Sequence, residues 1–480
     1  MTTTNRATVL AKFAEISRIP RCSKQEQEIS AYLLAWAAGR GYAAKTDRVG
    51  NILVTVPATP DRKQAPTAVL QSHLDMVCEK TPASGHDFRR DPLRLYTDGD
   101  WLRAAETTLG ADNGIGIALA MALAEDRELP HPKLELLFTV DEETGLTGAA
   151  HLEPGFFSGR RLLNLDSEDE GVLTIGCAGG CDSELLLDLD YEEWPPGHRL
   201  YELSVAGLKG GHSGVDIHAG RGNANVLLAR TLAELRRHGD ARLAGLRGGS
   251  AHNAIPREAT ARLAMPAAAA PGLIGRVAAV AATLRQGYPN EPNLSLVLAR
   301  REGAATRIYR SALAARIIDL LLVAPNGVMA MSHEAPGVVE SSLNLATIRE
   351  QADRLAILFS QRSDQPAGLA WLTAKLAGLA RLAGAEIITS AGYPGWPPDR
   401  ESPLLAMAQR LYRQMFGREP TIEIIHAGLE CGIIGAKNPG IDMLSLGPTI
   451  KNPHSPEEKL FLPSLERFCP FIRELLATWR

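Results

Sequence analysis

Val69-Leu-Gln-Ser-His-Leu-Asp-Met-Val77 is the stretch that decides the fold. A short apolar run ends in a polar cluster, the pattern of a buried parallel strand whose carboxyl end carries chemistry. His73 closes the run and Asp75 follows two residues later. At that spacing one imidazole nitrogen can meet a metal while the carboxylate holds the other N–H. A single His-x-Asp is weak, since a turn histidine beside a solvated aspartate reads the same way. Its neighbours strengthen it. Leu134-Glu-Leu-Leu-Phe-Thr-Val140 runs into Asp141, Glu142 and Glu143, and Arg161-Leu-Leu-Asn-Leu165 runs into Asp166. Ile52-Leu-Val-Thr-Val56 is a further strand, and 114–124 is a small, apolar helix. Strands that alternate with helices and end in acids predict an α/β domain with a mainly parallel sheet, whose ligands sit outside the carboxyl ends of the strands.

Upstream, Val9, Leu10, Phe13 and Ile16 recur at helical spacing. Ser23 and Glu26 form a capping-box pattern ahead of a second helix, which buries Ile29, Leu33 and Trp36 and stops at Gly39 and Gly41. The character changes near Gly179. From there to 391, more amphipathic strands (184–189, 199–205, 259–265, 293–299 and 342–348) alternate with Ala-, Leu- and Arg-rich helices such as 225–237 and 367–383. That is an α+β pattern of domain size. After Tyr393-Pro-Gly-Trp-Pro-Pro398 the buried style returns in 421–425 and 443–446, and Leu465, Phe468, Ile472 and Leu475 mark a closing helix. The predicted organisation is a discontinuous catalytic domain, 1–178 and 392–480, whose sheet is flanked by helices, with an α+β lid domain, 179–391, inserted into it.

A chain of 480 residues exceeds one ordinary core, in keeping with two domains. A net charge of −4 without a basic run argues against a nucleic-acid partner. The opening Met-Thr-Thr-Thr-Asn-Arg lacks the apolar stretch of a leader, and no apolar run is long enough to span a bilayer. A cytoplasmic protein with no membrane partner is expected. The six cysteines are too scattered for a disulfide framework and predict buried free thiols; Cys177 and Cys181 lack a second pair for a zinc knot.

Five candidate metal ligands appear in order. They are His73, Asp112 in Thr108-Leu-Gly-Ala-Asp-Asn-Gly-Ile-Gly116, Glu143, Asp166, and His454 in Lys451-Asn-Pro-His-Ser-Pro456. Each acid alone reads equally well as a helix cap or a loop end; five junctions of one kind do not. Two histidines with three carboxylates suit zinc and, less selectively, manganese or cobalt. Asp112, in a Gly-rich turn before a helix, could bridge two ions. Two close ions would clamp a water and lower its pKa, chemistry suited to hydrolysis of an amide. A carboxylate that is not a ligand must then take the water's proton, and Glu142 is the candidate, since neighbouring acids at a strand end point different ways. No H-E-x-x-H helix, dinucleotide fingerprint, P-loop or G-x-S-x-G elbow is present.

With Gly210-Gly-His-Ser-Gly214, His426-Ala-Gly-Leu-Glu-Cys-Gly432 and Gly447-Pro-Thr-Ile-Lys-Asn-Pro-His454 added to these motifs, the chain resembles the zinc-dependent exopeptidase family that includes carboxypeptidase G, the aminoacylases and the carnosinases. The motifs span nearly the whole chain in the family's order, and the last two resemble those of the subgroup that cleaves Xaa-His dipeptides. The resemblance implies two Zn2+ ions per subunit, replaceable by Co2+ or Mn2+. His73, Asp112 and Asp166 would hold one; Asp112, Glu143 and His454 would hold the other. It implies that Asp75 orients His73, that Glu142 is the general base, and that His212 polarises the scissile carbonyl. Asn253 and Arg362 match positions that take the substrate's terminal carboxylate, to which an arginine fork is suited. Arg362 also reads as a surface arginine, and His212 as a turn histidine. His426 and Glu430 read either as pocket lining or as supports behind it. The implied activity is hydrolysis of dipeptides, Xaa-His and β-alanyl-histidine (carnosine) among them. A tripeptidase or N-acyl amino acid deacylase of the same family, and a non-catalytic metal- or solute-binding relative, are the alternatives. The partners expected are a small peptide substrate and, in a homodimer, a second copy of the chain.

Overall fold

A computed structural model of the chain describes residues 3–303, 306–332 and 337–480. The chain divides into two units. Met1–Cys177, Trp396–Ile424 and Leu429–Arg480 form the first; Ala178–Gly395 and Ile425–Gly428 form the second.

The first unit is built on an eight-stranded sheet in the order Ala43–Thr46, Ile52–Val56, Leu134–Thr139, Ala68–His73, Arg161–Asn164, Asp442–Ser445, Val172–Cys177 and Thr421–Ile425. Its four central strands, Leu134–Thr139 to Asp442–Ser445, run parallel. Every residue of Ala68–His73 and of Leu134–Thr139 is buried, as strands covered on both faces must be. The flanks turn antiparallel at Ile52–Val56 and at Val172–Cys177. On one flank Ala43–Thr46 and Ile52–Val56 are joined by a short turn, which permits an antiparallel pair but is too short for a parallel crossover. Helix Ala111–Glu125 is buried along nearly its whole length. It approaches the sheet closely because Gly116 has no side chain: a Cβ there would lie 2.7 Å from Ser72 Oγ and 3.0 Å from the Leu165 carbonyl. A four-stranded sheet, Ile450–Lys451, Lys459–Phe461, Trp101–Ala104 and Leu95–Asp98, presents the loop that carries His454.

Two expectations need correction. The second helix, Gln27–Arg40, ends at Gly41 with φ of 73°, but Ser23 does not cap it. Ser23 Oγ donates to Asp75 Oδ2 at 2.7 Å, while Glu26 Oε1 accepts from the N–H groups of Lys24 (2.8 Å) and Asp141 (3.0 Å). Residue types that cap helices also bind other loops, and here they do. Nor are all six cysteines thiols: Cys22 and Cys78 form a disulfide across a Cα–Cα distance of 5.7 Å. A parallel bridge between Cys22 and Met76 brings the two segments side by side, although 56 residues separate the cysteines in sequence.

The second unit holds a nine-stranded antiparallel sheet. Eight strands follow the order Ser295–Arg300, His198–Ala206, Ala259–Pro266, Arg242–Gly248, Val339–Gln351, Arg354–Ser363, Gly179–Asp188 and Glu386–Thr389, and Gly327–Met331 pairs with Val339–Gln351. Alternation of buried and partly exposed residues, clean in His198–Ala206, puts one face against a core to which helices Ala224–His238, Ala270–Gly287, Ser311–Val323 and Pro366–Ala383 contribute. The unit ends at Gly395 rather than at 391 because Tyr393 exchanges two backbone hydrogen bonds with Gly180. It also claims Ile425–Gly428, where the Ile425 carbonyl accepts from the Ala178 N–H. Among the described residues no helix is long and apolar enough to cross a membrane.

Candidate metal centre

At the carboxyl ends of the central strands of the first unit, His73 is the last residue of its strand and is 1% exposed. Its Nε2 lies 3.1 Å from Asp112 Oδ1 and 3.2 Å from Asp166 Oδ1, and its Nδ1 lies 3.3 Å from Asp75 Oδ1. The second oxygen of Asp112 is 3.1 Å from His454 Nε2, which in turn is 2.9 Å from Glu143 Oε2. One carboxylate thus faces both histidines. The ligand atoms of His73, Asp112 and Asp166 lie within 4.8 Å of one another, and so do those of Asp112, Glu143 and His454. The backbone makes this possible by breaking helical geometry at Asp112 (φ −77°, ψ 111°) and by taking positive φ at His454.

Glu142 joins a further such grouping with His73 and Glu143. The two glutamates do not sit on a strand end as the sequence suggests. The strand stops at Thr139, Asp141 turns at φ of 50°, and Glu142–Gly145 forms one short helical turn. Asp75 holds that turn, accepting from the N–H groups of Glu142 (3.0 Å) and Glu143 (3.2 Å). Successive side chains on a helix leave its axis about 100° apart, yet one ligand atom from each glutamate lies within 4.8 Å of the other and of His73.

The donor set fits a pair of divalent cations. Burial pulls the His73 proton affinity down, yet the carboxylates of Asp166, Asp112 and Asp75 raise it well above the ordinary histidine value. Asp112 and Glu143 push His454 up to about 11. Burial, and then the negative charge of Asp112, raises Glu143, whose Oε1 is enclosed without a hydrogen-bond partner. A cluster that binds protons this avidly through two imidazoles favours positive charge, and the mixed N/O donors are those that zinc, cobalt and manganese accept. Burial also acts on Asp75, but the bonds from His73, Ser23 and the Glu142 N–H outweigh it and hold the carboxyl at about 2, ionised and able to orient His73. Burial raises Glu142 well above an ordinary glutamate, against the pull of His73 and with the help of Asp166 and Glu143.

Glu430 is buried and hydrogen-bonded to the sheet. It is 1% exposed in the first unit, and its Oε2 accepts from Gln71 Nε2 (2.6 Å) and Thr139 Oγ1 (2.7 Å), on the strands that lead to His73 and Asp141. Three participants escaped the sequence reading. Glu26 and Asp141 join Asp75 in a buried carboxylate group behind the site. Glu458 bonds the backbone around Asp112. The last stands four residues after His454, but that spacing does not reveal the backbone amides it bonds.

The second unit gathers the other four candidates. His212 Nδ1 accepts from the N–H groups of Gly214 (3.2 Å) and Val215 (3.1 Å), which leaves the ring proton on Nε2 as a donor. The Asn253 carbonyl accepts from the Ser213 N–H at 2.8 Å. Arg362 is 6% exposed, not a surface arginine, and its Nη1 donates to the Tyr393 hydroxyl at 2.7 Å. Gly214 packs against both Arg362 and the His426 carbonyl, where a Cβ would collide with the latter. His426 Nε2 lies 2.8 Å from Ser342 Oγ. Burial, and then the positive charge of Arg362, lower His426 to about 3.

That shift carries a pH prediction. An unfolded His426 takes up a proton near pH ~6.5, whereas the folded unit resists it down to about 3. Stability that is full above pH ~6.5 is therefore lost as the pH falls toward 3. His426→Gln, which cannot be protonated, removes this contribution. Urea unfolding at about pH 7 and about pH 5 should show wild type losing more stability than the variant on acidification; equal losses would refute the assignment.

A model of peptidase family M20/M25/M40 matches residues 69–478. The cytosol non-specific dipeptidase of Escherichia coli is 42% identical over 97% of this chain and 96% of that protein. The crystal structure of aminoacylhistidine dipeptidase from Vibrio alginolyticus superposes with a TM-score of 0.88 at 41% identity, covering 100% of this chain and 98% of that one. Aminopeptidase PepT from Bacillus cereus, with a TM-score of 0.59 at 17% identity over 99% and 98% of the two chains, shares the fold.

Proposed function

Because the chain belongs to peptidase family M20/M25/M40, we propose that it is a cytoplasmic dipeptidase that cleaves Xaa-His peptides, β-alanyl-histidine among them, with two zinc ions. The observation that carries this reading is Asp112, whose two oxygens each face a histidine and so join two donor groups into one centre. His73, Asp112 and Asp166 would hold one ion, and Asp112, Glu143 and His454 the other. When bound, such ions supply Lewis acidity and make a water acidic enough to attack an amide near neutral pH.

The chain's own residues do the rest. Asp75 fixes the ring of His73 by holding its Nδ1. Glu142, whose affinity for a proton is raised by burial, accepts one from the attacking water and returns it to the leaving amine. His212 offers its Nε2–H to the carbonyl oxygen as negative charge develops there. Arg362 and Asn253 take the substrate's terminal carboxylate, the arginine held in place by Tyr393. Glu430 keeps Gln71 and Thr139, and through them two strand ends, in register.

Incubation of the purified protein with β-alanyl-histidine, with and without chelator, tests the reading through release of free histidine. Chelator-sensitive release that zinc restores is expected. Release that a chelator leaves untouched would overturn the metal-dependent mechanism. A second reading, a dipeptidase of broad sequence preference, draws support from the name of the Escherichia coli relative, a non-specific dipeptidase. Equal turnover of Xaa-His and other dipeptides would favour it over an Xaa-His preference.

A further inference from the structure

Glu458 is 2% exposed, and its carboxylate is wholly engaged with backbone. Oε2 accepts from the N–H groups of Leu109 (2.8 Å) and Gly110 (2.9 Å); Oε1 accepts from those of Ala111 (2.8 Å) and Asp112 (3.3 Å). Four consecutive amides thus converge on one side chain. The opposite face of the turn is held by Arg21, 1% exposed, which donates to the carbonyls of Leu74 (3.1 Å), Asp75 (2.9 Å) and Gly110. Gly110 adopts φ of 65° between the two grips.

The start of a helix leaves N–H groups unpaired and attracts the nearest carboxylate. Asp112 lies in the first turn, and a short acidic side chain there is a natural cap for those amides. If its oxygens turned inward, neither would face a histidine. Glu458 occupies the donors instead. It also stands four residues after His454 in a loop drawn together by the Glu458 N–H to Ser455 carbonyl bond of 3.0 Å. One carboxylate therefore ties the backbone of Asp112 to the loop of His454.

We propose that Glu458 is a positioning residue of the metal centre: by filling the four amides it keeps both oxygens of Asp112 directed at the histidines and sets the spacing between Asp112 and His454. The proposal rests on the reading of Asp112 as a ligand of both ions. Glu458→Gln keeps the shape but turns an acceptor into an amide donor facing backbone N–H groups. Glu135→Gln is the control, a buried carboxylate of the same unit that caps the N–H groups of Ser158 (2.7 Å) and Gly159 (2.9 Å) and bonds no candidate ligand.

The metal-free wild-type chain and both variants are titrated with Co2+, followed by visible absorption and calorimetry, alongside thermal unfolding. Wild type should take up two ions. In Glu458→Gln both ions should bind about 10–100-fold more weakly, the scale on which outer supports act on a metal site, because Asp112 belongs to both donor groups. Glu135→Gln should lose stability but bind both ions as wild type does. Undiminished binding of both ions by folded Glu458→Gln would overturn the proposal, and so would equal weakening in Glu135→Gln, which marks a general structural effect. Should the glutamine variant not fold, Glu458→Asp decides in its place: weakened binding of both ions supports the proposal and unchanged binding overturns it. Wild-type uptake of fewer than two ions would instead overturn the two-ion reading, and this proposal with it.

Discussion

Glu142→Gln is expected to retain both metal ions and to lose turnover by about 10²–10⁴-fold, the usual worth of a positioned general base. The variant removes the ability to carry a proton while leaving size and backbone unchanged. The turn survives because it is held from outside the side chain, by Asp75 at the N–H groups of Glu142 and Glu143. Glu143 therefore keeps its place 2.9 Å from His454. The loss should fall on kcat rather than KM, because proton transfer is needed in the transition state and not for binding. Metal analysis together with steady-state rates makes the measurement. Wild-type turnover in a fully metallated Glu142→Gln protein would remove Glu142 from the mechanism; loss of metal would reassign it as a ligand.

Asp112→Ala should have the other large effect, on occupancy. His73 and His454 each face a different oxygen of Asp112. Removing that carboxylate takes a donor from both groups at once. Affinity for both ions should fall by about 10²-fold or more, beyond what loss of an outer support causes. Replacement of His454 alone should spare the group of His73, Asp112 and Asp166. Metal content after dialysis distinguishes the two: Asp112→Ala near zero, His454→Ala near one ion. Two ions retained by Asp112→Ala would rule out a shared bridge.

The candidate donor residues that the structure brings together could be read because most of them stand where an apolar run or a Gly-rich turn stops, and such junctions show in a single sequence. Glu458 could not, because its partners are backbone amides 346 to 349 residues away, and an amide leaves no trace in residue identity. Ser23 and Glu26 misled for a related reason: a capping pattern records donors and acceptors in short supply, not the groups they will satisfy. Strand identity was likewise easier than strand direction. Ile52–Val56 and Ala68–His73 both open on an apolar run, yet the first pairs antiparallel and the second parallel with opposite edges of Leu134–Thr139. Helix Ala270–Gly287 was not among the helices named from the sequence; it carries Pro271 in its first turn, where proline is well accommodated.

Strand Asp442–Ser445 lies between Arg161–Asn164 and Val172–Cys177, and this insertion has a consequence for how the molecule is made. On the ribosome, the strand that ends at His73 and the strand that leads to Asp166 emerge early, but Asp442–Ser445 emerges only after the second unit's main segment, Ala178–Gly395, has been synthesised. His454 comes later still. The second unit, whose strands are nearly contiguous in sequence, can fold while the first waits with apolar edges unpaired, a state in which nascent chains attract chaperones and one another. Hydrolytic competence therefore arrives last in biosynthesis, and an interrupted translation product holds a partial sheet without a finished centre.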